Sequence, residues 1–312
     1  MIKSNFLKEV YLDKKLKSFS STRVWVENNK SSIESHLEES GAVLFSRFPI
    51  DTAENFDCFV TAFKYKTFTY EDSLSNAVRI NKTDKVFTAN EAPNEIEIFL
   101  HHEMAQTPMY PKYIFFFCKS ASLEGGETPL CRSDWLYAAV QKEDPGLISK
   151  FDKYGVIYNS VMSNGDELIS GQGRSWQKTL GVKSKKDAEK KLKDLGYSWN
   201  WIESDNLSVT TRPFDAIKLL KDGNKSFFNQ VLAASLGWKK NSEDDSMPVK
   251  FGNGETIPDL GIQTISELAD SLSLQRQWED NDILLIDNFR VMHGRKPFWG
   301  EKNREVLVSL TA

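Results

Sequence analysis

The sequence predicts a mainly β protein with a sandwich or barrel core and flanking helices. Many short segments either alternate apolar and polar residues or run as continuous apolar stretches, and few segments carry a long helical period. Short strands separated by turn residues are typical of β sandwiches and barrels. No linker, internal repeat or low-complexity tract divides the 312 residues, so we expect a single domain over residues 1–312.

The N-terminal part predicts two helices with a strand between them. Residues 20–40 mix polar and apolar side chains at helical spacing and stop before Gly41. Residues 42–48 form an apolar run short enough for a buried strand. Residues 52–63 again place apolar side chains at helical spacing, with Thr52 as a candidate cap.

A strand and a pair of glycines follow. Residues 112–118 are rich in aromatic and β-branched side chains, which favour a strand. Gly125 and Gly126 predict a close approach of the backbone to a neighbour, with Thr128 emerging just beyond them. A plain glycine turn between strands is the alternative interpretation.

Residues 161–211 are the least regular part of the chain, and we expect an insertion or lid there. Within this segment, residues 184–195 predict an amphipathic helix that Ser184 caps and whose lysines form the solvated face. Arg174, with aromatic residues nearby, is a candidate clamp for an anionic substrate. A structural ion pair at Arg174 is the alternative interpretation.

The C-terminal part predicts a polar stretch and then three strand segments. Residues 239–258 are polar and acidic, so we expect a loop or capping insertion. Residues 282–293 predict a strand, a turn at 287–288 and a second short strand. Residues 304–310 predict the last strand.

Three of the four histidines lie in two places, as His101 and His102 in one and His293 in the other. Alternation before the first pair predicts a strand, on which His101 and Glu103 share a face while His102 points away. Two imidazoles and one carboxylate are the ligands of a facial triad that suits non-haem Fe(II). A core histidine and an edge carboxylate are the alternative interpretation of the first cluster.

An arginine follows the distal histidine across a Gly- and Pro-containing reversal. If the strands on either side of this reversal pair, Arg304 lies beside the end of the strand that carries His293. A buried arginine at that place could bind a carboxylate through two parallel hydrogen bonds.

The composition argues against several classes of partner. A net charge of −4 disfavours a nucleic-acid partner. Three cysteines without C-x-x-C spacing favour reduced thiols in an intracellular protein. The N-terminus lacks the apolar core of a signal peptide, and no apolar run is long enough to span a bilayer. We therefore expect a soluble, cytoplasmic protein with no membrane partner; its oligomeric state is left open.

The ordered set of residues resembles the Fe(II)/2-oxoglutarate-dependent dioxygenases. An H-x-E triplet at His101 and Glu103, a distal His293 and a following Arg304 resemble the TauD/TfdA superfamily, and within it the clavaminate synthase-like and syringomycin-biosynthesis enzymes. The resemblance covers residues 40–312. Further similar segments are 41–48, 125–129, 227–230, 251–254 and 293–295.

The resemblance implies a double-stranded β-helix, or jelly roll. It implies that His101, Glu103 and His293 bind Fe(II) and that Thr128 and Arg304 bind 2-oxoglutarate. Such an enzyme consumes O2 and releases CO2 and succinate as co-products.

The resemblance also restricts the class of substrate that we expect. His102 and Arg295 are candidate substrate contacts, unless Arg295 pairs with Asp287 or Glu301. Val308 stands where the sulfonate enzymes carry a second arginine, which disfavours a sulfonate. We therefore expect oxidation of a C–H bond in an amino-acid-like small molecule of specialised, natural-product biosynthesis. Radical oxidative cyclisation of an N-prenylated glutamate, as in kainoid synthases, is the alternative.

Two other classes of function use the same ligands differently. A zinc hydrolase also binds its metal through two histidines and a carboxylate, but it gives Thr128 and Arg304 no role. A non-catalytic jelly-roll binding protein with a structural metal leaves the same two residues without a role. Succinate formation that depends on Fe(II) and O2 distinguishes the oxygenase from both.

Overall fold

Helices and strands are described for residues 6–12, 19–70, 73–166, 173–238, 247–301 and 303–312 of a computed structural model. The helices, in chain order, are α1 (Phe19–Ser40), α2 (Ala53–Ala62), α3 (Ser133–Glu143), α4 (Pro145–Tyr154), α5 (Trp176–Leu180), α6 (Lys185–Leu195), α7 (Val231–Gly237) and α8 (Asp259–Leu272). None of these described helices is long and apolar enough to cross a membrane.

The strands, in chain order, are β1 (Leu7–Tyr11), β2 (Ala42–Ser46), β3 (Thr67–Phe68), β4 (Phe87–Thr88), β5 (Ile98–His101), β6 (Tyr113–Ser120), β7 (Glu124–Gly125), β8 (Leu130–Arg132), β9 (Val156–Met162), β10 (Ser198–Trp201), β11 (Leu207–Thr210), β12 (Lys218–Leu219), β13 (Lys225–Ser226), β14 (Val249–Phe251), β15 (Ser273–Leu274), β16 (Ile283–Asp287), β17 (Val291–Arg295), β18 (Phe298–Trp299) and β19 (Glu305–Thr311). The predicted helices and strands of the N-terminal part and the strand, turn and strand after residue 282 are confirmed.

Two sheets face each other and enclose the interior. The seven-stranded large sheet has the order β1-β2-β16-β6-β19-β3, with β4 also pairing with β19. The small sheet has the order β15-β8-β17-β5. Helices cover the outer faces of both sheets, which is the architecture of a jelly roll. The predicted fold class, mainly β with flanking helices around a jelly-roll core, is confirmed.

Alternation along each strand decides which side chains lie between the sheets. In β6, Ile114 and Phe116 join a buried cluster with Val291 of the small sheet. Phe115 and Phe117 point the other way and pack in a cluster with residues of α1 and α2. This period of two is what a strand buried on both faces requires.

Residues 161–211 form part of a third sheet with the order β10-β11-β9-β14, together with α5 and α6. Ser184 caps α6 by accepting a hydrogen bond from the backbone N–H of Asp187, as predicted. Ala188 and Leu192 are buried on its inner face. Residues 167–172 lie outside the described part of the chain, and the role of this segment as a lid stays a prediction.

The prediction of a loop over residues 239–258 is wrong in part. Residues 249–251 form β14, which pairs antiparallel with β9, because Val249 and Phe251 are buried in the core cluster beneath the third sheet. Residues 239–246 lie outside the described part of the chain.

The strand that carries His293 does not pair with the strand after Arg304, so this prediction is wrong. β17 lies between β8 and β5 of the small sheet, whereas β19 lies between β6 and β3 of the large sheet. The connection crosses from one sheet to the other, and its β18 pairs with β7 on the way. Arg304 therefore approaches the interior from the sheet opposite His293.

Candidate active site

Two histidines from neighbouring strands of the small sheet lie directly opposite each other. His101 is the last residue of β5, and His293 in β17 is its antiparallel partner. Their ring centroids are 4.4 Å apart. Directly opposed residues of an antiparallel pair project to the same face, so strand register brings together two imidazoles that are distant in sequence.

Glu103 reaches the histidines from a turn rather than from the strand. β5 ends at His101, and Met104 has a φ of +59°, so strand alternation does not orient the carboxylate as predicted. Its Oε2 nevertheless lies 3.4 Å from His293 Nε2 and 3.9 Å from His101 Nε2. The ligand atoms of the three residues lie within 4.8 Å of one another, and the described residues hold no other cluster of this kind.

The protonation states of these groups suit a divalent metal. His101 Nδ1 lies 2.8 Å from the Phe99 carbonyl, so Nδ1 carries the proton and Nε2 keeps its lone pair. Burial lowers the pKa of His101 to about 4. Burial opposes ionisation of Glu103, but the hydrogen bond from His293 and the charge of Arg79 outweigh it and hold the pKa of this carboxyl below its usual range. A neutral imidazole at His101 and an ionised carboxylate at Glu103 fit the ligand set of Fe(II).

The triad lines a cavity between the two sheets. Thr128 and Arg304 line the same cavity. The five residues that the sequence singled out for metal and co-substrate therefore surround a single space.

Arg304 lies against a glycine. Its Nε donates to the Gly126 carbonyl at 3.0 Å, and its guanidinium lies over the ring of Phe298. No carboxylate among the described residues forms an ion pair with it. The predicted close approach at the glycine pair is confirmed, because a Cβ at Gly126 would lie 2.9 Å from Arg304 Cδ and Nε.

Replacing Gly126 by alanine should therefore displace Arg304 and weaken 2-oxoglutarate binding by about tenfold or more. Gly223→Ala is the matched control, since Gly223 has a φ of +85° against +76° for Gly126 but has nothing within 4 Å of the added Cβ. Both variants should lose about 1–2 kcal/mol of folding free energy through backbone strain. Calorimetric titration with 2-oxoglutarate measures the difference, and equal affinities in the two variants would contradict it.

Thr128 is fixed by a tryptophan that the sequence did not reveal. Its Oγ1 accepts a hydrogen bond from Trp278 Nε1 at 3.0 Å. A hydroxyl that accepts one bond still has its own proton to donate. Thr128 can therefore present an O–H donor to a carboxylate in the cavity.

His102 faces away from the cavity, as predicted, and does not line it. The ring is wholly buried, its Nδ1 bonds the Asn288 carbonyl, and it packs against Phe228. Burial lowers the pKa of His102 to about 3. These contacts give His102 a packing role and leave it no path to a substrate.

Asn288 holds the turn that carries Glu103. Its Oδ1 accepts from the Glu103 backbone N–H at 2.8 Å, and its Nδ2 donates to the carbonyls of Glu103 and Pro111. Both the side chain and the backbone of Asn288 thus bind the segment of residues 101–104. The sequence placed a turn here but gave no sign of this role.

Asn288→Ala should weaken metal binding by about tenfold or more, because the change removes the hydrogen bonds that hold the metal ligand Glu103 in place. It should also cost about 1–3 kcal/mol of folding free energy through unpaired buried backbone groups. Asn229→Ala is the control: its buried amide bonds Ala216 and Val231 but not Glu103. Titration with Mn(II) is the measurement. A comparable loss of metal affinity in both variants would contradict the role of Asn288.

The other two candidate substrate contacts donate to backbone carbonyls. Arg295 lines the cavity, but its terminal nitrogens donate to the carbonyls of residues 90, 92, 93 and 96. The alternative interpretation, a pairing of Arg295 with Asp287 or Glu301, is wrong. Arg174 donates to the carbonyls of residues 70, 75 and 178 and does not line the cavity.

Two residues of the site escaped the sequence analysis. Tyr70 donates a short hydrogen bond to Glu103 Oε1, and Arg79 Nη2 lies 4.0 Å from the same oxygen. Burial raises the pKa of Tyr70 well above its usual value. Both residues precede β5 in irregular chain, where no periodicity or motif indicates that they turn inward.

Comparison with known proteins gives one consistent family. The profile of the family described as taurine catabolism dioxygenase TauD, TfdA family matches residues 17–311. A clavaminate synthase-like protein of Arabidopsis thaliana is 34% identical over 286 residues, which cover 91% of this chain and 86% of the relative. The dapdiamide synthesis protein DdaC of Enterobacter agglomerans is 29% identical over 295 residues, covering 89% and 84%.

The fold is also similar to that of a solved structure. A taurine dioxygenase from Burkholderia xenovorans superposes with a TM-score of 0.55 at 13% identity, over 99% of this chain and 87% of that chain.

Proposed function

The chain belongs to the TauD/TfdA family of dioxygenases, and on that premise we propose that it oxidises a C–H bond of an amino-acid-like small molecule in specialised, natural-product biosynthesis. It is an Fe(II)/2-oxoglutarate-dependent dioxygenase and uses Fe(II), 2-oxoglutarate and O2. This family membership sets aside the zinc hydrolase and the non-catalytic binding protein.

One observation carries the assignment of residues: a single cavity is lined by the triad, Thr128 and Arg304. His101, Glu103 and His293 would hold Fe(II) through the two Nε2 atoms and a carboxylate oxygen. Thr128 and Arg304 would hold the distal carboxylate of 2-oxoglutarate through a hydroxyl and a guanidinium.

The bound iron, with 2-oxoglutarate and O2, supplies the oxidant that removes hydrogen from a substrate carbon. The remaining tasks fall to the chain itself. Tyr70 occupies Glu103 Oε1, which leaves Oε2 to face the imidazoles. Apolar residues such as Phe116, Val306 and Val308 line the cavity and restrict water near the oxidation site. We propose residues 161–211 as the lid that closes over the substrate.

The substrate class is supported by a relative and by the cavity. The name of the DdaC relative refers to the synthesis of dapdiamide, a role in biosynthesis rather than catabolism. The cavity also contains the guanidinium of Arg79, which suits an acidic molecule. Val308 is apolar, so this chain has no cation at the position where the sulfonate enzymes carry a second arginine.

Anaerobic reconstitution with Fe(II) and 2-oxoglutarate tests this proposal. A weak visible charge-transfer band should appear, and a substrate should shift it. We would titrate amino acids and N-alkylated glutamates, admit O2, and measure succinate and product mass. Gain of an oxygen atom indicates hydroxylation, whereas loss of two hydrogens with an N-prenylated glutamate would favour the oxidative cyclase. Absence of Fe(II)- and O2-dependent succinate would contradict the assignment of the site.

A further inference from the structure

Arg79 is a cavity residue whose donors are only partly used. Its Nη2 donates to the Tyr70 hydroxyl at 2.9 Å, and its guanidinium lies over the Tyr70 ring. Its side chain is 10% exposed. Its Nε is buried and has no hydrogen-bond partner among the described residues. A buried donor without a partner is costly, so an acceptor that reached this nitrogen would stabilise the site.

The other two cavity arginines are already bound by backbone carbonyls. Arg295 also has a buried Nε without a partner among the described residues, but its terminal nitrogens donate to four backbone carbonyls. Arg304 lies by Gly126 on the large-sheet side, where the co-substrate is assigned. Arg79 alone of the three has Glu103 as its nearest counter-charge, at 4.0 Å.

Once a metal is bound, the negative charge of Glu103 would be shared between Arg79 and the metal. Glu103 would then neutralise part of the charge of a divalent metal. The two carboxylates of 2-oxoglutarate offset the rest of the metal charge and that of Arg304. Arg79 remains as a largely buried cation beside the triad, and such a cation requires an anionic partner.

We propose that Arg79 binds a carboxylate of the primary substrate, an inference that rests on the proposed function and specifies its substrate class. The planar guanidinium matches a carboxylate in shape, and its position near Glu103 would hold the substrate beside the metal. Val306 and Val308 line the cavity as apolar residues, so they suit the hydrocarbon part of an amino-acid-like acid.

The first arm of the test decides which molecule supplies the carboxylate. Arg79→Gln and Arg79→Lys are titrated anaerobically with 2-oxoglutarate in the presence of Fe(II) and without primary substrate. Both should retain the affinity of the wild-type protein for 2-oxoglutarate. A loss of about tenfold or more in Arg79→Gln would assign Arg79 to the co-substrate and overturn the proposal.

The second arm measures recognition of the acid. An N-alkylated L-glutamate and its two monocarboxamides are titrated into the Fe(II)/2-oxoglutarate complex, with the shift of the visible band as readout. The wild-type protein should bind the diacid at least about tenfold more tightly than one of the amides. Arg79→Gln should abolish this preference, and Arg79→Lys should restore part of it.

Two results separate this inference from the function on which it rests. The role of Arg79 alone would be overturned if the wild-type protein forms a normal visible band but binds the diacid and its amides with equal affinity. A normal band that does not shift with the diacid up to millimolar concentration would have the same meaning. Failure of the wild-type protein to form the band would overturn the proposed function and this inference together.

Discussion

Replacing His293 by alanine should weaken metal binding by about 100-fold or more. Changes to groups that merely support a metal ligand cost about 10–100-fold, and His293 would supply one of only three protein ligands. Its Nε2 lies 3.4 Å from Glu103 Oε2, close enough for both atoms to bind one metal ion. Titration with Mn(II), followed by electron paramagnetic resonance, measures the affinity.

His36→Ala is the control for this prediction. His36 is the fourth histidine of the chain and lies on α1, which packs on the outer face of the large sheet. It should bind Mn(II) as the unmodified protein does. If His293→Ala and His36→Ala bind the metal equally well, His293 is not a ligand.

Replacing Arg304 by alanine should weaken 2-oxoglutarate binding by about 100-fold or more, since loss of one partner from a buried charge pair costs about 2–5 kcal/mol. Burial lowers the pKa of Arg304 to about 10, so the guanidinium is still charged at neutral pH. Its Nε is held by the Gly126 carbonyl, which leaves the terminal nitrogens for a carboxylate. Calorimetric titration with 2-oxoglutarate in the presence of Mn(II) measures the loss.

Arg304→Lys tests the geometry of the same contact. It keeps the charge but loses the planar pair of donors, so its affinity for 2-oxoglutarate should fall between those of the native protein and Arg304→Ala. Both variants should bind Mn(II) normally, because Arg304 does not contact the triad. Unchanged 2-oxoglutarate affinity in Arg304→Ala would remove the assigned role.

The roles proposed for Arg304 and Arg79 can be tested separately. Loss of Arg304 should weaken binding of the co-substrate, whereas loss of Arg79 should weaken binding of the acidic substrate and leave that of the co-substrate unchanged. The structure supports this division, because Arg304 lies by Gly126 and Arg79 lies by Tyr70 and Glu103. The same two titrations therefore distinguish a co-substrate site from a substrate site.

The sequence by itself determined the strand pattern and the chemically active residues. β6 and β16 were predicted as strands from their continuous apolar runs, which suit a strand that is buried on both faces. His101, Glu103 and His293 were identified because few residue types bind metal in this combination. Thr128 and Gly126 were found because a glycine pair beside a polar residue indicates a close approach of backbone.

The tertiary structure alone decided how these pieces meet. Arg304 immediately precedes β19, a strand of the sheet opposite His293. Local periodicity cannot choose between strand partners, because pairing depends on contacts between distant segments. Arg295 turned to backbone carbonyls, since buried N–H donors take whichever acceptors the packed chain brings close. Tyr70 reaches Glu103 and Arg79 lines the cavity, both from irregular chain without any periodic pattern. Their positions follow only from their contacts with each other and with Glu103.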